Sequence, residues 1–217
     1  MAKPPRPKEE VEQIKEKILN AALDIIIREG YENLSMRNIA RRIGMTAANL
    51  YNYFSSKDEL YLTLLRNAFQ KLNNSLRYMV RDVNDPLQKL MRIGEAYINF
   101  AIKNKNYYEI MLMTSAPRYS DFIGTEMERL AYESKKTGIE VFNFILDILT
   151  EAFPEVGPGK ARLILLELWS NLHGIVSLYN YGVLQELEDR PIDTLNRVKE
   201  LAFEIFQDLI KKFSEKR

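Results

Sequence analysis

The sequence predicts an all-α protein: an N-terminal three-helix head containing a helix-turn-helix, then a larger helical body, with about nine helices in all. Three observations predict it. Apolar residues recur at helical spacing along most of the chain, and alternating strand patterns are nearly absent. Helix starts and stops punctuate the sequence at regular intervals. The 217 residues are 46% hydrophobic and 28% charged, a composition that supports a sizeable core.

Residues 1–10 read as a flexible arm, because Met1 to Lys8 carry three prolines and three cations and lack the apolar stretch of a secretory signal. Val11, Ile14, Ile18, Ala21, Ala22 and Ile25 then form the stripe of a first helix that Gly30 ends. Ser35 caps a short second helix and Thr46 a third. Ser56 with Glu59 makes a capping box for a long fourth helix through about Arg81. Asp85, Pro86 and Gln88 open a fifth, which breaks near Asn104 and leads to a short sixth around Tyr108–Met113. After a loop containing Pro117, Thr125 with Glu128 opens a seventh helix to about Ala152. Pro154, Gly157, Pro158 and Gly159 break the chain again. Two long helices follow, about Lys160–Tyr181 and Ile192–Phe213. Domain boundaries follow from this: 11–56 for the head and 57–217 for the body.

Composition narrows the function. There is one histidine and no cysteine, so disulfides and thiolate metal sites are excluded. No Gly-rich phosphate loop or helical His-Glu-x-x-His is present, which argues against an enzyme, and no cofactor or metal is called for. The longest uncharged run, Leu168–Gln185, holds too many polar groups for a membrane span, so the expected location is cytoplasmic. Net charge is +1, yet Asn33–Lys57 carries four cations (Arg37, Arg41, Arg42, Lys57) and no acid. A positive surface built from that window suits phosphate.

The same window holds the strongest motif. Two short helices that cross steeply need a small residue at the crossing, supplied by Ala40, and a turn residue tolerant of positive φ, supplied by Gly44. Ile39, Ile43, Met45 and Leu50 sit at the offsets of a shared core, with Tyr53 at its far end. The second helix of such a motif enters the major groove. Its outward positions are Thr46, Ala47, Ala48, Asn49 and Asn52; either asparagine suits the paired hydrogen bonds of adenine, and the alanine methyls suit thymine. Ser35, Arg37, Tyr51, Tyr53 and Lys57 suit phosphate.

From about Ile14 to Leu65 the chain resembles the DNA-binding head of the TetR (tetracycline-repressor-like) family. The resemblance rests on Gly30-Tyr31, Leu34-Ser35-Met36, Ile39-Ala40, Gly44-Met45-Thr46, Leu50-Tyr51-Asn52-Tyr53-Phe54 and Lys57-Asp58-Glu59-Leu60. It implies that Tyr51, Tyr53 and Lys57 contact the DNA backbone, and that Thr46, Ala47 and Asn49 occupy operator-dependent positions. The departure is the alanine pair at 47 and 48, which offers no side-chain hydrogen bonds.

The resemblance also implies a regulator, more often a repressor, that answers a small-molecule effector. One short helix reads few base pairs, so a homodimer through the last two helices is expected. Leu195, Val198, Ala202, Ile205 and Leu209 form the seam, flanked by Leu201, Phe206, Ile210 and Phe213; Leu163, Leu166, Ile175 and Leu178 complete it. The segment around Trp169, His173 and Gly174 resembles a Trp…His-Gly signature of one subgroup. Trp169 and His173 share a helical face and either line a ligand pocket or pack as core, His173 on a neighbouring carbonyl and Gly174 allowing a close helix. Tyr97, Phe100, Tyr108, Met111, Met113, Phe142 and Phe144 are the other pocket candidates, pointing to a hydrophobic or aromatic effector. The alternative is a helical ligand carrier or interaction protein that binds no operator.

Overall fold

A computed structural model describes residues 6–214, with side chains through Asp208. The arm residues Met1–Pro5 and the side chains of Leu209, Ile210 and Phe213 lie outside the described residues. Within them the chain forms ten α-helices and no strand: α1 (Lys8–Glu29), α2 (Met36–Ile43), α3 (Ala47–Leu50), α4 (Lys57–Val80), α5 (Pro86–Lys103), α6 (Lys105–Leu112), α7 (Glu128–Ala152), α8 (Pro158–Asn180), α9 (Val183–Leu187) and α10 (Pro191–Ser214). Short 3-10 turns cover Tyr31–Asn33 and Tyr119–Phe122. The unexpected member is α9, a single turn entered through Gly182 at φ +82° where only a turn was expected. No helix among the described residues is long and apolar enough to cross a membrane.

Local chemistry explains most boundaries. The Asp85 carboxylate accepts from Gln88 N at 2.8 Å, with Pro86 at the first helical position. Asn104 alone separates α5 from α6, its amide and side chain both donating to Phe100 O, so α6 starts earlier than expected. Both expected capping boxes are shifted. Ser56 Oγ accepts from Glu59 N at 3.0 Å as expected, but the Glu59 carboxylate accepts from Ser55 N at 2.6 Å, one residue further back. Glu128 similarly accepts from Gly124 N at 2.8 Å, because it is the first residue of α7 rather than the third and must fold back across the turn.

The chain divides into two compact units, residues up to Gln70 with Asn106–Gly138, and Lys71–Lys105 with Ile139 onward. In the first unit, Ile18, Ala22, Ile25, Leu34, Ile39 and Leu50 build the core of the head. Tyr31 meets the fully buried Tyr61 edge-on at 5.1 Å, and Tyr61 donates to Pro117 O at 3.0 Å. Ser134, also buried, donates to Leu62 O at 2.9 Å.

In the second unit α10 packs on α8, and Phe153 meets Phe206 edge-on at 5.8 Å. Gly94 of α5 is the tightest point: a Cβ there would lie 2.5 Å from Phe203 Cζ. Gly94→Ala is therefore expected to lower unfolding stability by ~1–3 kcal/mol through overpacking. Chemical denaturation measures it, and an unchanged midpoint refutes it.

The expected dimer seam splits in two. Leu195, Phe206 and Ile175 are buried inside their own chain, at 2%, 3% and 7% exposure. Leu163, Leu166 and Leu178 on α8, and Leu201 and Ile205 on α10, stay exposed. The apolar stripe of α10 thus serves two faces, one against α8 and one open.

Candidate nucleic-acid interface

The helix-turn-helix is built by local capping. Ser35 Oγ accepts from Asn38 N at 3.2 Å and starts α2. α2 ends in a Schellman motif: Met45 N donates to Ala40 O at 2.9 Å and Gly44 N to Arg41 O at 3.4 Å, with Gly44 left-handed at φ +70°. Thr46 Oγ1 accepts from Asn49 N at 3.2 Å and starts α3. Ile39, Ala40 and Leu50 are buried as expected, whereas Ile43 and Met45 are half-buried. Phe54 rather than Tyr53 closes the far end: Phe54 is buried and Tyr53 only half so.

What remains outside is the surface predicted to meet DNA. Thr46, Ala48, Tyr51 and Asn52 are exposed, and Ala47 and Asn49 half-exposed. Asn52 Nδ2 donates to Asn49 Oδ1 at 3.4 Å, which keeps Asn49 Nδ2 and Asn52 Oδ1 for partners outside the pair. Ser35 is exposed, and its hydroxyl accepts the capping bond while keeping its own proton to donate.

The positive charge of this surface is smaller than the sequence window implies. Arg42 reaches back to Asp24 and Glu29 of α1, so the pair of carboxylates neutralises it. A window free of acids along the chain is not free of them in space. Arg37 is exposed with no carboxylate partner among the described residues, and Arg41 donates to Asn38 Oδ1 at 2.9 Å. Lys57 Nζ sits 4.6 Å over the Tyr31 ring. Tyr31 in turn donates to Asp58, and burial together with that carboxylate raises its pKa. Tyr31 and Asp58 thus hold Lys57 at the start of α4. No local pattern signals this, since Tyr31 lies 26 residues before Lys57 and 27 before Asp58.

Tyr53 carries a second surprise: Arg6 donates to its hydroxyl. The cationic spacing of residues 3–8 was the available signal for Arg6.

The pocket candidates fall into both units. Tyr108 and Met111 are buried in the first, and Met113 is exposed there. In the second, Trp169 Nε1 donates to Tyr97 Oη at 3.0 Å, and that oxygen lies 3.3 Å from His173 Nδ1. Tyr97 thus joins the indole and the imidazole through one hydroxyl, which can donate to Nδ1 or accept from it according to the histidine tautomer. Sequence reading gave His173 a neighbouring carbonyl as partner; the structure brings to it the Tyr97 hydroxyl, 76 residues away. Gly174 is exposed, and nothing lies within 4 Å of where its Cβ would stand, so it allows no close packing inside its own chain. Phe100 is buried, while Phe142 and Phe144 are half-buried under Arg162 and Arg77.

Burial holds the His173 pKa below the ordinary value. Below pH ~6.5 the unfolded chain binds a proton that folded His173 resists, so stability falls as pH drops from there toward the folded pKa. The melting temperature should therefore decline more steeply between about pH 7 and pH 5 in the natural chain than in His173→Gln. Parallel profiles contradict this.

An unanticipated cleft of about 970 Å³ also lies in the first unit, between α1 and α4, lined by Lys8, Glu12, Glu16, Arg66 and Tyr107 among others. Its lining mixes charged side chains with Leu19, Phe54 and Leu64, unlike the apolar, tyrosine-rich pocket the sequence suggested.

Known proteins place these features in one family. A family model described as bacterial regulatory proteins of the tetR family matches residues 18–64, and one described as a tetracyclin repressor-like C-terminal domain matches residues 90–198. The HTH-type transcriptional regulator Mb1846 of Mycobacterium bovis is 29% identical over 192 residues, 79% of this chain and 82% of that one. The HTH-type transcriptional activator FasR of Mycolicibacterium smegmatis is 33% identical over 94 residues, only 43% of either chain. A solved structure of a protein of unknown function from Rhodococcus sp. RHA1 superposes with a TM-score of 0.68 at 23% identity, covering 89% of this chain and 93% of that one, and shares the fold. With both its head and its body matched, the chain belongs to the TetR family of DNA-binding transcriptional regulators, not enzymes.

Proposed function

We propose that two copies of the chain form a dimer that seats one α3 in each of two major grooves of an operator and represses transcription until a small hydrophobic or aromatic effector releases it. The observation that carries this reading is α3 itself: capped by Thr46, anchored by buried Leu50, and open at Thr46, Ala48 and Asn52. Residues 11–56 are the DNA-binding head and 57–217 the ligand-binding and dimerisation part. Asn49 and Asn52 read bases, with Ala47 and Ala48 admitting the backbone closely. Ser35, Arg37, Tyr51, Tyr53 and Lys57 hold phosphates, and that contact fixes register. The setting is the cytoplasm, where the operator is.

The effector site we favour centres on Trp169, Tyr97 and His173, with Phe100 and Phe142 of the same unit supplying apolar surface. A ligand that hydrogen-bonds there competes with the Tyr97 hydroxyl. Full switching between bound and released populations takes ~5.5 kcal/mol of differential affinity. A dimer on an operator blocks polymerase by occupancy alone, which makes repression the simplest sign; FasR is named an activator, so a promoter–reporter assay decides the sign here.

The test is binding to the DNA upstream of the protein's own gene. Affinity should fall steeply with salt, linearly on a log–log plot. No duplex binding even at low ionic strength overturns the reading.

A further inference from the structure

We infer that Tyr31 is a positioning residue for DNA binding: its hydroxyl holds the Asp58 carboxylate away from Lys57, leaving that ammonium for a phosphate. This rests on the phosphate contact proposed above for Lys57. The two charges adjoin at the start of α4, and one tyrosine touches both. Tyr31 Oη donates to Asp58 Oδ1, while Lys57 Nζ stands 4.6 Å over the face of the same ring. No carboxylate pairs with Lys57 among the described residues, Asp58 included. A ring face holds a cation more weakly than a carboxylate does, so Lys57 stays available to phosphate.

The ring is fixed for this task. Tyr31 is buried, and Tyr61 meets it edge-on at 5.1 Å. Burial and the Asp58 carboxylate raise the Tyr31 pKa, so the hydroxyl keeps its proton and remains a donor. Asp58 itself answers a different need, because an acid in the first turn stabilises the positive end of α4. The same charge opposes DNA unless a donor binds it. Its neighbour Glu59 follows the same rule, with Ser55 N at 2.6 Å and Ser55 Oγ at 2.8 Å donating to its carboxylate. Without the Tyr31 hydroxyl, Asp58 competes with phosphate for the Lys57 ammonium. If Tyr31 served only the core, phenylalanine would do as well, since it keeps the ring, the edge contact and the face beneath Lys57.

The experiment uses the full chain and a duplex enriched by it from a random-sequence pool, with affinity measured by fluorescence anisotropy across a salt series. Tyr31→Phe is expected to weaken binding about tenfold at physiological salt and to make the log–log slope shallower by ~0.9, the share of one phosphate contact. Adding Asp58→Asn to it should restore both, because the competing charge is gone. Asp58→Asn alone keeps an oxygen for the hydroxyl and should bind at least as tightly as the natural chain. Rescue separates positioning from folding: both Tyr31→Phe chains lack the same hydroxyl bond, so a structural loss would persist in both. An unchanged affinity and slope in Tyr31→Phe overturns the inference, and so does a loss that Asp58→Asn leaves in place. Lys57→Ala marks the underlying contact; if its slope matches the natural chain's, Lys57 meets no phosphate and the inference falls with that reading. If the natural chain binds no duplex, the DNA-binding reading itself has failed.

Discussion

Ile205→Glu is expected to turn the protein into a monomer and to cost operator affinity by about two orders of magnitude or more. Ile205 and Leu201 lie one turn apart on α10, each 53% exposed, although both belong to the helix's apolar set. Beside them, one line along α8 runs from Leu163, 68% exposed, through Ser170 and Gly174 to Leu178 and Tyr181. A glycine inside a helix costs ~1 kcal/mol against alanine. Gly174 has no close neighbour in its own chain to justify that cost, so a second helix, from another copy, is the packing we assign to it.

Each buried Leu or Ile contributes ~1.5–3 kcal/mol, and two-fold symmetry doubles every contact. Two carboxylates meeting across such a seam, one from each substituted copy, lose that burial and suffer desolvation as well. The monomer should keep its circular dichroism spectrum, because Ile205 is exposed in its own chain. Linking two heads raises operator affinity by ~10²–10⁴ over one, which sets the expected loss. Sedimentation measures the mass and anisotropy the affinity; Leu163→Glu, on the other helix, should behave alike. A dimer that survives both substitutions places the interface elsewhere.

The same helix shows where sequence reading stops. Periodicity identified Leu195, Phe206, Leu201 and Ile205 as apolar, but not what covers each. Leu195 and Phe206 are buried and Leu201 and Ile205 are not, because a face wider than one neighbour is divided by tertiary packing. Local signals travelled well: Ser35, Gly44, Thr46 and Asp85 each act within four residues, and each holds the cap or turn expected of it.

Signals that depend on distant partners did not. Arg42 counted as free charge until Asp24 and Glu29 met it from α1. Trp169 and His173 could be placed on one face from their spacing, whereas Tyr97, which links them, is 72 residues from one and 76 from the other. Tyr108 and Met111 were pocket candidates on the same aromatic and thioether chemistry as the rest, but they belong to the first unit and Trp169 and His173 to the second, a division that composition could not give.

Ala48→Glu should abolish operator binding while leaving the fold intact. Ala48 is exposed on α3 and supports nothing in the core, so its replacement has little to disturb in the free protein. Glutamate is also a better helix former than most residues it could be compared with. In the major groove the same side chain brings a carboxylate among phosphates and fills the space that two alanines leave open. Like-charge juxtaposition costs several kcal/mol at an interface; taking a cautious ~2 kcal/mol per head gives ~4 kcal/mol per dimer, roughly a thousandfold in affinity. Ala48→Ser supplies the control, since it keeps the size and adds only a hydroxyl; it should bind within about tenfold and shift base preference instead, as a serine contacts either kind of base edge. The pair separates steric and electrostatic access from folding, because both variants should share the natural chain's melting curve. If Ala48→Glu binds the selected duplex as tightly as the natural chain, α3 does not lie in the groove. The exposure of Thr46, Ala48 and Asn52 would then belong to some other surface of the head.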